Sequence, residues 1–206
     1  MTFTPEPLPA FLAEPSGIGT EISVTGKWLP TKAGGRFRTT EQSREMLAEW
    51  EDIHAAARAD AGVLSTEINH AVGEDAVLVH HIFRDAGAVV DYFASTAAEH
   101  IGPLLEVAKP DIHLVRGVEI PDEAREAITA TGVPATFGRM LFGYVKDDHR
   151  RPDPASAIQV TAKWTCSPGE QSNLEELKYW WQRVGTDAHS IEEGLVRYEA
   201  YEVDGE

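Results

Sequence analysis

The 206-residue chain predicts an α+β protein that uses a strand–helix–strand module twice. Two observations carry that expectation. Val24-Thr25-Gly26-Lys27-Trp28 returns 136 residues later as Val160-Thr161-Ala162-Lys163-Trp164, and Gly62…Glu67…Gly73-Glu74 returns 132 residues later as Gly194…Glu199…Gly205-Glu206. Self-similarity at a fixed spacing is the mark of a duplicated unit. The four-residue difference falls after the Trp, where the first copy carries the longer loop around Gly34-Gly35. The second observation is that short alternating runs take turns with stretches of helical periodicity.

Residues 1–18 are Pro-rich and predict a surface arm. Ile22 to Leu29 alternates as a strand and ends at Pro30. Thr39-x-x-Gln42 is a capping box that opens a helix, with Met46, Leu47, Trp50, Ile53, His54 and Ala57 on one stripe. Gly62 closes that helix. Val63–Ala71 and Ala76–Phe83 then flank a turn at Gly73-Glu74 and predict an antiparallel hairpin. Asp85 caps a second helix whose inner face carries Val89, Val90, Phe93, Ala97 and Ile101, with Gly102-Pro103 kinking or ending it. Ile112 to Val118 is the fourth strand.

The first unit is thus β-α-β-β-α-β, the split βαβ or ferredoxin-like arrangement. A helix at 122–130 and a strand at 140–145 extend it, so the unit spans 19–146. Residues 147–156, with two prolines and mixed charges, read as a linker. An incomplete second unit fills 157–206. It has a strand at 158–165, a helix opened by Ser172-x-x-Glu175 with the stripe Leu174, Leu177, Trp181 and Val184, and a strand at 195–203. A lone β-α-β leaves a sheet face and an edge open, so it is expected to pack on the first unit or on a second copy of the chain.

Hairpin register sorts the candidate chemistry. With Gly73-Glu74 at the turn, Glu67 faces His80 and Asn69 faces Leu78. One face presents Glu67, Asn69, Leu78, His80 and Ile82; the other presents Leu64, Thr66, Ile68, Val77, Val79, His81 and Phe83. The second, more apolar set should meet the helices. The first set gathers a carboxylate, an amide and an imidazole: His80 as general base held by Glu67, and Asn69 as donor to a developing oxyanion. A polar network that only fixes register is the structural alternative. Trp28 and Trp164 hold matched positions, as repeated core or as the wall of a flat-ligand site. Tyr179 and Trp180 flank the last helix stripe, as aromatics of an association surface do.

Net charge of −16, from 34 acidic and 18 basic residues, argues against nucleic acid or an anionic membrane as partner. One cysteine, Cys166, excludes an intramolecular disulfide framework. No His/Asp/Glu spacing matches a metal signature, and no phosphate loop or nucleophile elbow is present. Without a basic, apolar leader or a long apolar run, the chain reads as cytoplasmic.

Ala61-Gly62-Val63-Leu64-Ser65-Thr66-Glu67, Val77-Leu78-Val79-His80-His81-Ile82-Phe83-Arg84-Asp85 and the helix carrying Ser95 and His100 resemble antibiotic biosynthesis monooxygenase-like domains. Val160 to Trp164, Ser167-Pro168-Gly169 and Glu193 to Glu199 are similar to that family's first strand, turn and second strand. The resemblance covers about 20–118 and 157–206. It implies a dimeric α+β barrel of two ferredoxin-like units, here within one chain with the second unit shortened. It also implies oxidation of a small aromatic or quinol-type molecule, often by oxygen without metal or flavin, and His100 as a ligand-binding residue. The haem-degrading branch carries an Asn in the first strand, which Thr25-Gly26-Lys27-Trp28 lacks. The expected function is a monooxygenase-like protein with no cofactor, a small-molecule ligand and homo-oligomeric assembly. The alternative is a non-catalytic ligand-binding or assembly module.

Overall fold

A computed structural model describes residues 9–13, 18–31, 41–71, 74–145, 160, 162, 171–192 and 197–203. It is mixed α+β and divides into two units, Thr20–Arg139 and a second formed by Met1–Gly19 with Met140–Glu206. Its helices are α1 (Ala10–Ala13), α2 (Glu41–Ala59), α3 (Ala86–Ala94), α4 (Thr96–Val107), α5 (Asp122–Ala130) and α6 (Gln171–Ile191). Its strands are β1 (Ile22–Pro30), β2 (Val63–His70), β3 (Val77–Phe83), β4 (Ala108–Gly117), β5 (Thr136–Val145) and β6 (Arg197–Val203).

Within 20–139 the chain runs β1-α2-β2-β3-α3/α4-β4, and the strands lie in the order β2-β3-β1-β4. Both ends of the run thus meet at β1, the ferredoxin-like arrangement. The β2/β3 hairpin has the expected register, with Glu67 opposite His80 and Asn69 opposite Leu78. A shift between Val63 and Ser65 alters its far end, so Val63 rather than Leu64 packs on the core. After β4, α5 crosses over and β5 joins parallel, Leu114 to Gly117 facing Thr136 to Arg139. A parallel neighbour needs such a crossover.

The core of this unit is the helix-facing side of β1 and β3 against α2, α3 and α4. Ile22, Val24, Trp28, Val77, Val79 and Phe83 meet Met46, Trp50, Ile53, Val89, Tyr92 and Phe93, all buried. Asp85 caps α3 as the sequence implies, its carboxylate accepting from the Ala88 N–H at 2.8 Å. The helix breaks at Ser95, not at Gly102-Pro103. Ser95 takes φ −120° and ψ −77°, outside the helical region, and its hydroxyl bonds the Asp91 carbonyl. Pro103 lies inside α4 and is exposed, so the carbonyl that loses its N–H partner there can be solvated.

In the other unit, Leu12 and Ile18 are buried where the composition suggested an arm on the surface. Leu12 packs with Phe142, Tyr144, Trp181 and Tyr198, and Ile18 with Met140, Val145 and Tyr201. β5 continues into this unit beside β6. Of the strand expected at 158–165, Val160 and Ala162 are described; neither lies in a strand and both are exposed. The stripe of α6 departs from expectation at Val184, which is exposed, while Gly185 and Ala188 are buried. Tyr198 explains the swap. Its ring lies so close to α6 that a Cβ on Gly185 would stand 2.8 Å from Cε1, and its hydroxyl donates to the Trp181 carbonyl.

Gly185→Ala should therefore lower stability by about 1–3 kcal/mol, and Val184→Ala by no more than about 0.5 kcal/mol, in urea denaturation. Equal effects would return Val184 to the buried stripe.

Candidate functional site

A cavity of about 20 Å³ lies between the sheet and the helices of the 20–139 unit. That is room for one or two water-sized bodies. Each strand places a side chain there by simple alternation. β1 sends Val24, Gly26 and Trp28 toward the helices, β3 sends Val79 and His81, and β4 contributes His113 opposite Gly26. Trp50 of α2 and Tyr92 of α3 close it from the helix side.

Gly26 shapes the floor. A Cβ there would stand 2.7 Å from Trp28 Nε1 and 3.0 Å from a Val79 methyl, so only glycine lets the indole lie back along its own strand. The rings then contact in sequence. Trp28 meets Trp50 edge-on at 5.3 Å and His113 at 6.2 Å, Trp50 stacks on His81 at 6.4 Å and 29°, and His81 tilts against Tyr92 at 5.9 Å.

Four nitrogens of this wall are buried without a hydrogen-bond partner among the described residues: Trp28 Nε1, Trp50 Nε1, His81 Nδ1 and His113 Nδ1. A buried polar group left unpaired costs about 1–3 kcal/mol, and native proteins leave few. All four are sealed from solvent, and the cavity surface that these residues line is almost wholly apolar. Burial holds both imidazoles neutral. His81 is pushed down to about 4 by desolvation, with the charges of His54 and His113 adding to it. His113 also falls to about 4 by burial, against a hydrogen bond to the Pro134 backbone that works the other way. His54, lowered by burial and by Arg58, pairs Nδ1 with Thr66 Oγ1 at 3.1 Å.

The residues singled out from the sequence are placed as follows. Trp28 is in this wall. His80 and His81 point to opposite faces, and His80 lies on the side away from the helices, its Nδ1 2.9 Å from Thr25 Oγ1. Arg116 donates to the same oxygen at 2.9 Å. The Thr25 hydroxyl thus joins His80 to Arg116, and the His80 tautomer sets which of Oγ1 and Nδ1 donates. Glu67 is the half-buried cross-strand neighbour of His80, while Asn69 is exposed. His100 sits half-buried on α4 and is not among the residues lining the cavity. Trp164 lies outside the described residues. Trp50, His81, Tyr92 and His113 were not picked out as site residues. The available signal was a histidine at position 81 on an otherwise apolar strand face. Among the described residues no three His, Cys, Asp or Glu side chains stand together as a metal group, and no helix is long and apolar enough to cross a membrane.

The fold defines the class: an α+β protein with a ferredoxin-like unit extended by a parallel strand. No described protein family matches this chain, and no curated protein does. Solved structures that resemble it include MupZ from Pseudomonas fluorescens, 13% identical, with 57% of this chain and 88% of that chain covered and a TM-score of 0.44. SnoaB, a cofactor-independent oxygenase from Streptomyces nogalater, is 13% identical over 47% of this chain and 91% of that chain, with a TM-score of 0.38. A Chloroflexus aurantiacus protein described as an antibiotic biosynthesis monooxygenase is 14% identical over 49% and 92%, also at 0.38. The assignment of the fold rests on the chain's own strand order.

The neutral histidines give stability a pH dependence. Unfolded imidazoles titrate near 6.5 and the folded ones near 4, so between those values the unfolded chain binds more protons. Their contribution is full above pH 6.5 and is lost as pH falls through 4, by roughly 3 kcal/mol for each histidine. Denaturation midpoints against pH should show this fall, and His81→Leu should remove about half of it. A variant with an unchanged slope would show that His81 charges freely in the fold.

Proposed function

We propose that this chain is a monooxygenase-like protein that oxidises a small aromatic or quinol-type molecule with oxygen and without a bound cofactor. The substrate would bind by opening the sheet–helix cavity of the 20–139 unit beyond its present volume of about 20 Å³. The observation that carries this reading is the neutral imidazole of His81, its Nδ1 unpartnered in an aromatic wall. A neutral imidazole in an apolar pocket can take a proton from a hydroxylated ring, and the resulting anion is the electron-rich species that reacts with oxygen. One oxygen atom then enters a ring CH carbon, which becomes a quinone carbonyl, and the other leaves as water. The C–H bond of that carbon and the O–H bond of the ring hydroxyl supply the two electron pairs. Trp28 and Trp50 would hold the ring edge.

Glu67, Asn69 and His80 remain the alternative acid–base set for the same reaction on the other sheet face. A second reading, a non-catalytic small-ligand module, is favoured by the size of the cavity, which is closer to water than to a ring. Assembly with a second copy stays part of the proposal. The −16 charge suits neither nucleic acid nor an anionic membrane as the partner.

An oxygen electrode with metal-free protein and a panel of phenols and quinols should register substrate-dependent oxygen uptake. His81→Gln should slow it by about a hundredfold or more, and His80→Ala should leave it near wild type. The reverse pattern would move the chemistry to the Glu67–Asn69–His80 face. Saturable binding with no uptake would establish the non-catalytic reading.

A further inference from the structure

β2 ends its sheet: among the described residues it pairs with β3 on one side and with no strand on the other. Which of its backbone groups face that open edge follows from two hydrogen bonds. The Ala71 N–H reaches the Ala76 carbonyl at 2.9 Å, and at the far end the Arg84 N–H reaches the Gly62 carbonyl at 2.9 Å. Antiparallel partners alternate between bonded and non-bonded pairs. In the hairpin register Glu67–His80 and Asn69–Leu78 are therefore bonded pairs, and Thr66–His81, Ile68–Val79 and His70–Val77 are not. The N–H and C=O groups of Thr66, Ile68 and His70 point out of the sheet edge. Such an edge is a template for another strand. The register shift between Val63 and Ser65 disturbs only its start.

We infer that the β2 edge pairs with the β2 edge of a second copy of this chain, antiparallel about Ile68. A two-fold interface must be complementary to itself. With Ile68 opposite Ile68 of the second copy, Thr66 meets His70 and Glu67 meets Asn69, each twice. All three edge-facing residues then find edge-facing partners, for about six N–H···O=C bonds. Between them the Glu67 carboxylate accepts from the Asn69 amide of the second copy. Moving the register by two residues one way sets Glu67 against Glu67, like charges face to face. Moving it the other way leaves Thr66 without a partner inside the strand. An extended segment of a different protein would have to offer Asn opposite Glu67 and Glu opposite Asn69; a second copy does so by symmetry. Opposed residues share a sheet face, so the helices of both copies lie on one side of a sheet that runs on through the two-fold axis. The inference refines the second-copy assembly proposed above and is independent of the oxidation chemistry.

Sedimentation velocity of the full chain over a concentration series should show a reversible monomer–dimer equilibrium in about 0.15 M salt, which screens the −16 charge on each copy. Amide exchange read by NMR should show Thr66, Ile68 and His70 gaining protection as the dimer fills, unlike Glu67 and Asn69, whose amides β3 already holds. Asn69→Lys sets a cation opposite Glu67 and should tighten the dimer about 2- to 30-fold. Asn69→Asp should loosen it by a similar factor. Glu126→Gln, an equal change of net charge to Asn69→Lys but at an exposed position on α5, should do neither. His70→Pro removes an edge N–H that the hairpin does not use, and should weaken the dimer about tenfold or more. A monomer at every concentration overturns the inference and the second-copy assembly with it, while oxygen uptake still decides the chemistry. A dimer whose edge amides stay exchangeable, or that ignores both Asn69 variants, overturns the β2 pairing and keeps assembly through another surface. Wild-type exchange decides the matter even if His70→Pro fails to fold.

Discussion

Two helices of the 20–139 unit, α2 and α3, are held on their sheet by rings. Trp28 on β1 reaches Trp50 on α2, and Phe83 on β3 reaches Tyr92 and Phe93 on α3 at 5.1 and 6.2 Å. Burial supplies most of the attraction, at about 25 cal/mol per Å² of apolar surface, and the edge-on contacts add about 0.5–1.5 kcal/mol per pair. Gly26 makes the arrangement possible, because any side chain on it would lift Trp28 from its strand. Helix placement and cavity follow from that one contact surface.

The same packing creates a conflict. Aromatic side chains fill a core well, but indoles and imidazoles bring nitrogens with them. Around this cavity four of those nitrogens have no partner among the described residues. A protein selected for stability alone would place Phe or Leu at such positions, since apolar groups of similar shape carry no desolvation cost. The neutrality of His81 and His113 belongs to the same argument, because the low-polarity surroundings that suppress their charge also strengthen any hydrogen bond made there.

The other unit uses rings differently. Tyr198 bonds its hydroxyl to the Trp181 carbonyl and lies close to Gly185, while Tyr144 stands edge-on to His189 at 4.8 Å. Burial raises Tyr198 and Tyr144 above the ordinary phenol range, so both stay protonated and act as packing rings with a polar tip. Gly143 serves a similar purpose in β5, where a Cβ would stand 2.6 Å from the Tyr198 carbonyl. Here small residues permit close approach.

Sequence alone determined the order of elements through 20–145, the α2 stripe and the pairing of Glu67 with His80. Each depends on neighbours a few residues apart or on one tight turn. It also separated His80 from His81, because adjacent strand residues must point apart. The burial of Leu12 and the loss of Val184 from the α6 stripe were not legible, since each answers to a residue distant in the chain; the break at Ser95 is local, a side-chain bond to the Asp91 carbonyl that periodicity does not register. The cavity belongs with these. Trp28, Trp50, His81 and His113 come from four separate elements, and their meeting depends on how β1, β3 and β4 align under α2. Alternation fixes which way a side chain points; only the packed layers decide what it meets.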